Sequence, residues 1–192
     1  MMASNSIESE KVMKPADALE IVRYPIGRVT IVTDVTAADR VRWIAQIAEA
    51  PAKLRTALAG LSEQQLDRSY RDGGWTLRQV AHHLADEHLN AFGYFKKAAT
   101  EDDPPVNVYV EPRWAETKDA REAPVELSLD LLTALHARWV ILLNSFSEKD
   151  FASAYVHGRR GRVSLDEGIQ LYAWHGLHHT AHITSLRDRE NW

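Results

Sequence analysis

Four of the nine histidines in this 192-residue chain fall within eight consecutive residues near the carboxyl terminus. They are His175, His178, His179 and His182. On an α-helix, residues four apart lie on one face, so His175 and His179 could present two imidazoles to one metal ion. At about 100° per residue, His182 lies about 20° from His175, and His178 points about 60° away. The spacing predicts that this helix carries two metal ligands and that a third comes from elsewhere in the chain.

A second pair of histidines, His82 and His83, can supply that third ligand. Residues 76–79 (Thr-Leu-Arg-Gln) form a capping box, which predicts that both histidines lie on a helix starting there. Adjacent residues differ by about 100° around a helix axis, so at most one of the two can face a common point with a distant helix. His83 lies between the directions of Val80 and Leu84 and is the more inward of the pair.

Three neutral imidazoles from two helices would hold a divalent ion at about 2.0–2.1 Å per nitrogen and leave one coordination position open. A water molecule at that position can have its pKa lowered to about 7, and the ion can also polarise a carbonyl or phosphoryl oxygen. The chain has no cysteine, which excludes disulfides, thiolate zinc sites and a cysteine nucleophile. No His-Glu-x-x-His motif is present, which excludes the zincin arrangement.

The other polar residues of these segments have ordinary structural explanations. We interpret His182, His136 and His157 as core residues or as neighbours of the ligands. Asp86 could orient an imidazole from one turn away, but a solvated helix face explains it equally well. Glu167 is accounted for as a helix-capping residue and receives no catalytic role. The sequence identifies no catalytic base.

The composition is that of an ordinary globular protein, with 45% hydrophobic and 26% charged residues. The net charge of −4 gives no reason to expect a nucleic-acid partner. No apolar run reaches the length of a membrane span, and the amino terminus lacks the pattern of a secretion signal. We therefore expect a cytoplasmic protein with a small-molecule substrate and with neither a nucleic-acid nor a membrane partner.

Helical periodicity predicts four long helices that would position these residues. The first begins near Thr36 and contains Pro51, which should kink or split it. The second begins at residue 76, the third covers about residues 128–146, and the fourth opens with a capping box at residue 164 and runs to about Arg187. A small β-hairpin is predicted just before the last helix. This count predicts an all-α four-helix bundle with the site in its core.

Two segments lie outside these helices. Residues 1–20 are polar and aperiodic and are predicted to be a flexible tail, so that the domain is expected to cover residues 21–192. Residues 100–123 are acidic and contain prolines, and they are predicted to form a long crossover connection. Tyr109 and Trp114 favour an ordered cover over the alternative, a solvated linker.

Nine motifs along the chain together resemble a known family. They are Tyr-Pro-Ile-Gly at 24–27, Pro-Ala-Lys-Leu at 51–54, Tyr-Arg-Asp-Gly-Gly-Trp-Thr at 70–76, Arg-Gln-Val at 78–80, His-His-Leu-Ala-Asp at 82–86, Leu-His at 135–136, Arg-Trp at 138–139, Tyr-x-Trp-His at 172–175 and His-x-x-His-Ile at 179–183. From about residue 23 to its end, the chain resembles the YfiT-type metal-dependent hydrolases of the DinB-like superfamily.

This resemblance implies a DinB-type four-helix bundle, usually a homodimer, with a zinc- or nickel-type ion on three histidines. Carried over residue by residue, the ligands are His83, His175 and His179, which is the set that helix geometry also favours. The implied activity is hydrolysis of a small molecule through a metal-bound water. The superfamily also includes thiol S-transferases, which use the metal to activate a thiol, so S-transfer is the alternative activity. A non-catalytic metal or ligand-binding domain is a third interpretation.

Overall fold

The computed structural model describes the chain from Pro15 to Trp192. In chain order its elements are α1 (Pro15–Arg23), α2 (Ala37–Leu58), α3 (Glu63–Leu66), α4 (Leu77–Ala98), β1 (Pro105–Val106), α5 (Glu111–Trp114), α6 (Lys118–Glu122), α7 (Val125–Asn144), α8 (Glu148–Ala152), β2 (Ala154–His157), β3 (Gly161–Ser164) and α9 (Leu165–Glu190). The four long helices α2, α4, α7 and α9 pack against one another as a bundle. The predicted all-α four-helix bundle is confirmed.

Three of the long helices begin where their capping boxes predict. Thr36, Thr76 and Ser164 each accept a hydrogen bond from the backbone N–H three residues later, and the side chain at that later position bonds back to the cap. The third long helix, α7, has no side-chain cap and begins at Val125, directly after Pro124. It therefore starts three residues earlier than the periodicity alone predicts.

Pro51 lies inside α2, and the helix continues through it to Leu58 without a break. Of the two outcomes expected for this proline, a kink or a split, the split is wrong. A proline has no N–H, so the carbonyl of Ile47, four residues earlier, loses its helical partner. That carbonyl instead accepts a hydrogen bond from Nδ1 of His136 at 2.6 Å. This bond from α7 compensates for the one that α2 cannot make.

The predicted hairpin forms from β2 and β3, which pair antiparallel. The long crossover contributes β1, which pairs parallel to β2 with Pro105 opposite Val156, so the sheet has three strands. A two-residue strand carries no periodic signal and was not predictable as one. Further along the crossover, Gln79 of α4 donates a hydrogen bond to the Ala115 carbonyl at 2.7 Å. These bonds hold the crossover against the bundle as an ordered segment.

The amino-terminal arm lies along α9. The side chain of Gln170 bonds to both the N–H and the carbonyl of Val32, at 2.9 and 3.1 Å, and Trp174 donates to the Gly27 carbonyl at 3.1 Å. Helix α1 takes in the end of the segment predicted to be a tail, and the rest of that prediction falls on residues 1–14, outside the described part. Within the described part, no helix is long and apolar enough to cross a membrane.

The bundle core is unusually rich in histidine. Seven of the nine histidines are buried, and they are His82, His83, His88, His136, His178, His179 and His182. Histidine is a residue of intermediate burial in most proteins, and a buried imidazole needs partners for both nitrogens. The hydrogen-bond partners of these rings are therefore informative about what the core does.

Candidate metal centre

Three histidines from two helices meet at one point in the bundle. His83 comes from α4, and His175 and His179 come from successive turns of α9. One nitrogen of each ring lies within 4.8 Å of a nitrogen on each of the other two. The ring centroids are 5.3 Å apart for His83 and His175, 4.8 Å for His83 and His179, and 4.5 Å for His175 and His179, and all three pairs meet edge to face.

Burial gives the three rings the protonation state that a metal ion requires. Burial lowers the pKa of His83 to about 4 and lowers the pKa values of His175 and His179 well below the ordinary value for histidine. At neutral pH the three imidazoles are therefore neutral, and each keeps one nitrogen lone pair. Nitrogens bound at about 2.0–2.1 Å around one tetrahedral ion are roughly 3.4 Å apart, so the observed cluster fits such an ion with small adjustments.

His82, next to His83 in sequence, points away from this cluster. Its Nδ1 lies 2.7 Å from the Ser128 hydroxyl, and its Nε2 donates to the Ala123 carbonyl at 3.1 Å. Both nitrogens are therefore engaged in tying α4 to the start of α7. The structure thus places His83, and not His82, opposite α9, in agreement with the helical direction inferred from the sequence.

His182 lies beside the cluster, within a second group that also contains His178 and His179. Its Nε2 donates to the Arg23 carbonyl at 3.0 Å, and its Nδ1 lies 3.3 Å from Nδ1 of His179. Because both nitrogens of His182 already have partners, the second group is the poorer candidate for a metal site. This position agrees with the interpretation of His182 as a neighbour of the ligands.

His136 and His157 have different surroundings. His136 bonds to Nδ1 of His88 at 2.8 Å, and Nε2 of His88 lies 3.0 Å from Nδ1 of His175. His136 is thereby linked to the cluster through one intervening ring. His157 is half-buried on β2, and its Nδ1 accepts a hydrogen bond from the backbone N–H of Arg159 at 3.2 Å. It takes no part in the three-histidine cluster.

A cavity of about 280 Å³ opens onto the three histidines. Its lining comes from the loop before α4, from α4 and α9, and from the crossover and the hairpin, and consists of Trp75, His83, Glu87, Glu111, Pro112, Arg160, Leu171, Tyr172, His175 and His179. The Trp75 ring lies 4.6 Å from the His83 ring, centroid to centroid. A small molecule in this cavity would contact the nitrogens on its floor and an aromatic and apolar wall beside them.

Glu87 is a functional candidate that the sequence reasoning missed. It lies one turn after His83 on α4 and accepts a hydrogen bond from the Tyr172 hydroxyl at 3.3 Å. Burial is the main cause that raises the pKa of its carboxyl. The available signal was the four-residue spacing from His83, which puts both side chains on one helix face. Asp86, the neighbouring carboxylate, does not line the cavity.

The mouth of the cavity is charged. Glu111 of the crossover forms an ion pair with Arg159 of the hairpin turn. Arg160 is exposed, and it is the one arginine or lysine among the described residues that line the cavity. The crossover and the hairpin thus place one cation above the histidine cluster.

Comparison with known proteins agrees with this architecture. Residues 46–183 match the family model of the DinB superfamily. A protein of Bacillus mycoides (strain KBAB4), named "Putative metal-dependent hydrolase", is 47% identical over 171 residues, which cover 89% of this chain and 98% of that protein. A protein of the same name from Bacillus cereus (strain 03BB102) has the same identity and coverage.

The fold also matches a solved structure. That structure is YfiT from Bacillus subtilis, described as "a probable metal-dependent hydrolase with an unusual four-helix bundle topology". The two chains are 40% identical and superpose with a TM-score of 0.88, over 90% of this chain and 99% of the other. The chain therefore belongs to the DinB superfamily, and within it to the YfiT type.

Proposed function

We propose that the protein is a metal-dependent hydrolase of a small molecule, with His83, His175 and His179 as the ligands of one zinc- or nickel-type ion. The observation that carries this proposal is the convergence of three neutral imidazoles, with nitrogens within 4.8 Å of one another, at the floor of a cavity. A divalent ion in such a site supplies Lewis acidity and lowers the pKa of a coordinated water to about 7.

Glu87 is the residue that we assign to proton transfer. Its carboxyl faces the cavity, and the hydroxyl of Tyr172 holds it in place. Because burial raises its pKa above the ordinary value, its carboxylate accepts a proton more readily than an exposed one would. It can take a proton from the attacking water at a carboxylate oxygen and return it to the leaving group.

Arg160 and Trp75 are the residues that we assign to substrate placement. Arg160 brings a positive charge to the mouth of the cavity, where it can orient an anionic or strongly polar substituent. Trp75 packs against His83 and supplies an apolar wall that excludes water from that side. Together they favour a substrate with a polar group at one end and the hydrolysed bond near the histidines.

The test is turnover of a panel of esters, amides and lactones by zinc- and nickel-loaded protein, compared with two variants. We expect His179→Ala to abolish turnover, because it removes a ligand. The matched control is His157→Ala, which removes a histidine outside the cluster and should leave turnover close to that of the wild type. Equal turnover by wild type and His179→Ala across the panel would contradict a role for this site in hydrolysis.

The alternative activity, thiol S-transfer, uses the same ligands and is separated by a spectroscopic measurement. Thiolate is a soft and strong ligand, so a small-molecule thiol added to cobalt-substituted protein would give a sulfur-to-metal charge-transfer band. A hydrolase with no affinity for thiols gives no such band. A strong band together with no hydrolysis of the panel would replace hydrolysis by S-transfer as the assigned reaction.

A further inference from the structure

We propose that two chains of hydrogen-bonded histidines, each ending at a backbone carbonyl, fix the tautomers of His175 and His179 so that Nε2 of each faces the ion. The positioning residues are His88 and His136 in one chain and His182 in the other. This inference rests on the proposed function, because it takes His175 and His179 as metal ligands.

The first chain begins at the Ile47 carbonyl. Nδ1 of His136 lies 2.6 Å from that oxygen, and a carbonyl can only accept, so Nδ1 must carry the hydrogen. A neutral imidazole has one donor and one acceptor, so Nε2 of His136 accepts from Nδ1 of His88, at 2.8 Å. By the same rule, Nε2 of His88 accepts from Nδ1 of His175, at 3.0 Å. The lone pair of His175 is therefore on Nε2.

Burial of these rings leaves no alternative to this arrangement of donors and acceptors. His88 is 1% exposed and His136 is 2% exposed, so water cannot replace a missing partner for either ring. Burial also lowers the pKa values of both, which keeps them neutral at neutral pH. The first hydrogen bond of this histidine chain has no competitor either, because Pro51 has no N–H to offer the Ile47 carbonyl.

The second chain begins at the Arg23 carbonyl, at the end of α1. Nε2 of His182 lies 3.0 Å from that oxygen and must carry the hydrogen. Nδ1 of His182 is then an acceptor, and its partner at 3.3 Å is Nδ1 of His179. His179 therefore donates from Nδ1 and keeps its lone pair on Nε2. The ring of His182 stacks on Tyr70 with a centroid distance of 4.0 Å, which holds it in this orientation.

The hydrogen bonds of both histidine chains point in the same direction: each series of donors starts at Nδ1 of a ligand and ends at a backbone carbonyl. A carbonyl neither releases nor takes up a proton under ordinary conditions, so these chains do not conduct protons to the surface. Their effect is to fix ring orientation and to make each ligand a better electron donor, as partners of metal-binding histidines generally do. In the first chain His136, His88 and His175 lie far apart in the sequence, and only the fold brings them together.

The direct test is nitrogen NMR of metal-free protein labelled with ¹⁵N-histidine, in which long-range proton–nitrogen correlations report which ring nitrogen carries the hydrogen. We expect Nδ1–H for His175, His88, His136 and His179, and Nε2–H for His182. A wild-type spectrum with His175 or His179 in the Nε2–H form would overturn the proposal. This readout needs neither metal nor substrate, so it can fail or succeed independently of the proposed hydrolysis.

Zinc affinity of variants, measured by competition with a chromophoric chelator, gives the second test. We expect His88→Leu to weaken zinc binding about 10- to 100-fold, in the range seen when such partners are removed. His88→Gln, which keeps one donor and one acceptor, should restore most of the affinity. The matched control is His82→Leu, since His82 is also a buried histidine but bonds away from the cluster, and the zinc affinity of this variant should stay near that of the wild type.

A folded His88→Leu variant with wild-type zinc affinity would contradict the proposal. If that variant does not fold, His182→Phe takes its place, because phenylalanine retains the stacking on Tyr70 while removing both nitrogens. It too should bind zinc more weakly than the wild type, and unchanged affinity would again contradict the proposal. If the wild type itself binds no zinc, the proposed function fails, and the NMR spectrum alone decides between fixed and unfixed tautomers.

Discussion

The carbonyl oxygen of Ile47, left without a helical partner by Pro51 four residues later, accepts a hydrogen bond from Nδ1 of His136 at 2.6 Å. A proline in the middle of a helix is ordinarily destabilising because it removes this kind of bond. Here the bond comes from another helix, so α2 and α7 are joined where α2 would otherwise be weakest. The same bond begins the chain of histidines that reaches the candidate metal centre.

The first prediction concerns stability. His136→Leu leaves the Ile47 carbonyl and Nδ1 of His88 without partners in the core, and each unpaired buried group costs about 1–3 kcal/mol. We expect the free energy of unfolding of the metal-free protein to fall by about 2–4 kcal/mol in urea denaturation. The matched control, His157→Leu on the half-buried face of β2, should change it by less than about 1 kcal/mol. An equal decrease in the free energy of unfolding of the two variants would show that the bond between His136 and the Ile47 carbonyl does not stabilise the fold.

The second prediction concerns pH. Burial lowers the pKa of His83 to about 4, whereas an unfolded histidine titrates near 6.5, so the unfolded chain binds more protons between these values. This contribution to stability is fully present above pH 6.5 and is lost as pH falls towards 4. For His83 alone it is on the order of 3 kcal/mol, at 1.36 kcal/mol per pKa unit. The other buried histidines act in the same direction.

Urea denaturation of chelator-treated protein between pH 7.5 and pH 5 measures this effect. The free energy of unfolding should change little above pH 6.5 and should decrease as the pH falls from 6.5 to 5. A variant with the buried His82 replaced by leucine should show a shallower dependence, because one group with a lowered pKa is removed. A free energy of unfolding that is independent of pH across this range would show that these rings are not held neutral by the fold.

The third prediction concerns zinc and folding. Zinc at 100 times its dissociation constant, bound only by the folded state, raises the free energy of unfolding by about 2.7 kcal/mol. For a chain of this size the corresponding rise in Tm is roughly 5–10 °C. His83→Ala should abolish the rise, and His157→Ala should retain it. A rise of equal size in His83→Ala would place the bound zinc elsewhere.

The fourth prediction separates the proton-transfer residue from the ligands. Glu87→Gln should lower kcat by about 10²- to 10⁴-fold, the usual contribution of a general acid or base, and should flatten the acidic limb of the pH profile. Zinc affinity should not change, because Glu87 is not a proposed ligand. Asp86→Asn is the control, since Asp86 neighbours Glu87 in sequence but does not line the cavity. Equal kcat values for Glu87→Gln and the wild type would remove Glu87 from the mechanism.

Much of the fold follows from local sequence signals. The capping boxes at Thr36, Thr76 and Ser164 identify three long helices because the residues that interact are three apart in the chain. The same signal at Ser147 precedes α8 and could have predicted that short helix too. Helical direction also distinguishes His83 from His82, because neighbouring residues on a helix cannot face the same point.

The remaining features depend on contacts between distant segments. No local pattern pairs Ile47 with His136, residues 89 positions apart, or His182 with the Arg23 carbonyl, 159 positions apart. Strand β1 exists only because β2 is beside it. The homodimer that the family resemblance implies involves a second copy of the chain and stays a prediction. Sedimentation at micromolar protein concentration would test it.

The central claim is that His83, His175 and His179 hold one divalent ion and leave it an open coordination position. The most direct measurement is elemental analysis together with X-ray absorption at the metal edge, on protein purified without a histidine tag or chelator. The account predicts one ion per chain with three imidazole nitrogens at about 2.0–2.1 Å and a further ligand that is not a protein side chain. An ion coordinated by a fourth protein side chain, or a metal content unchanged in His83→Ala, would contradict this claim.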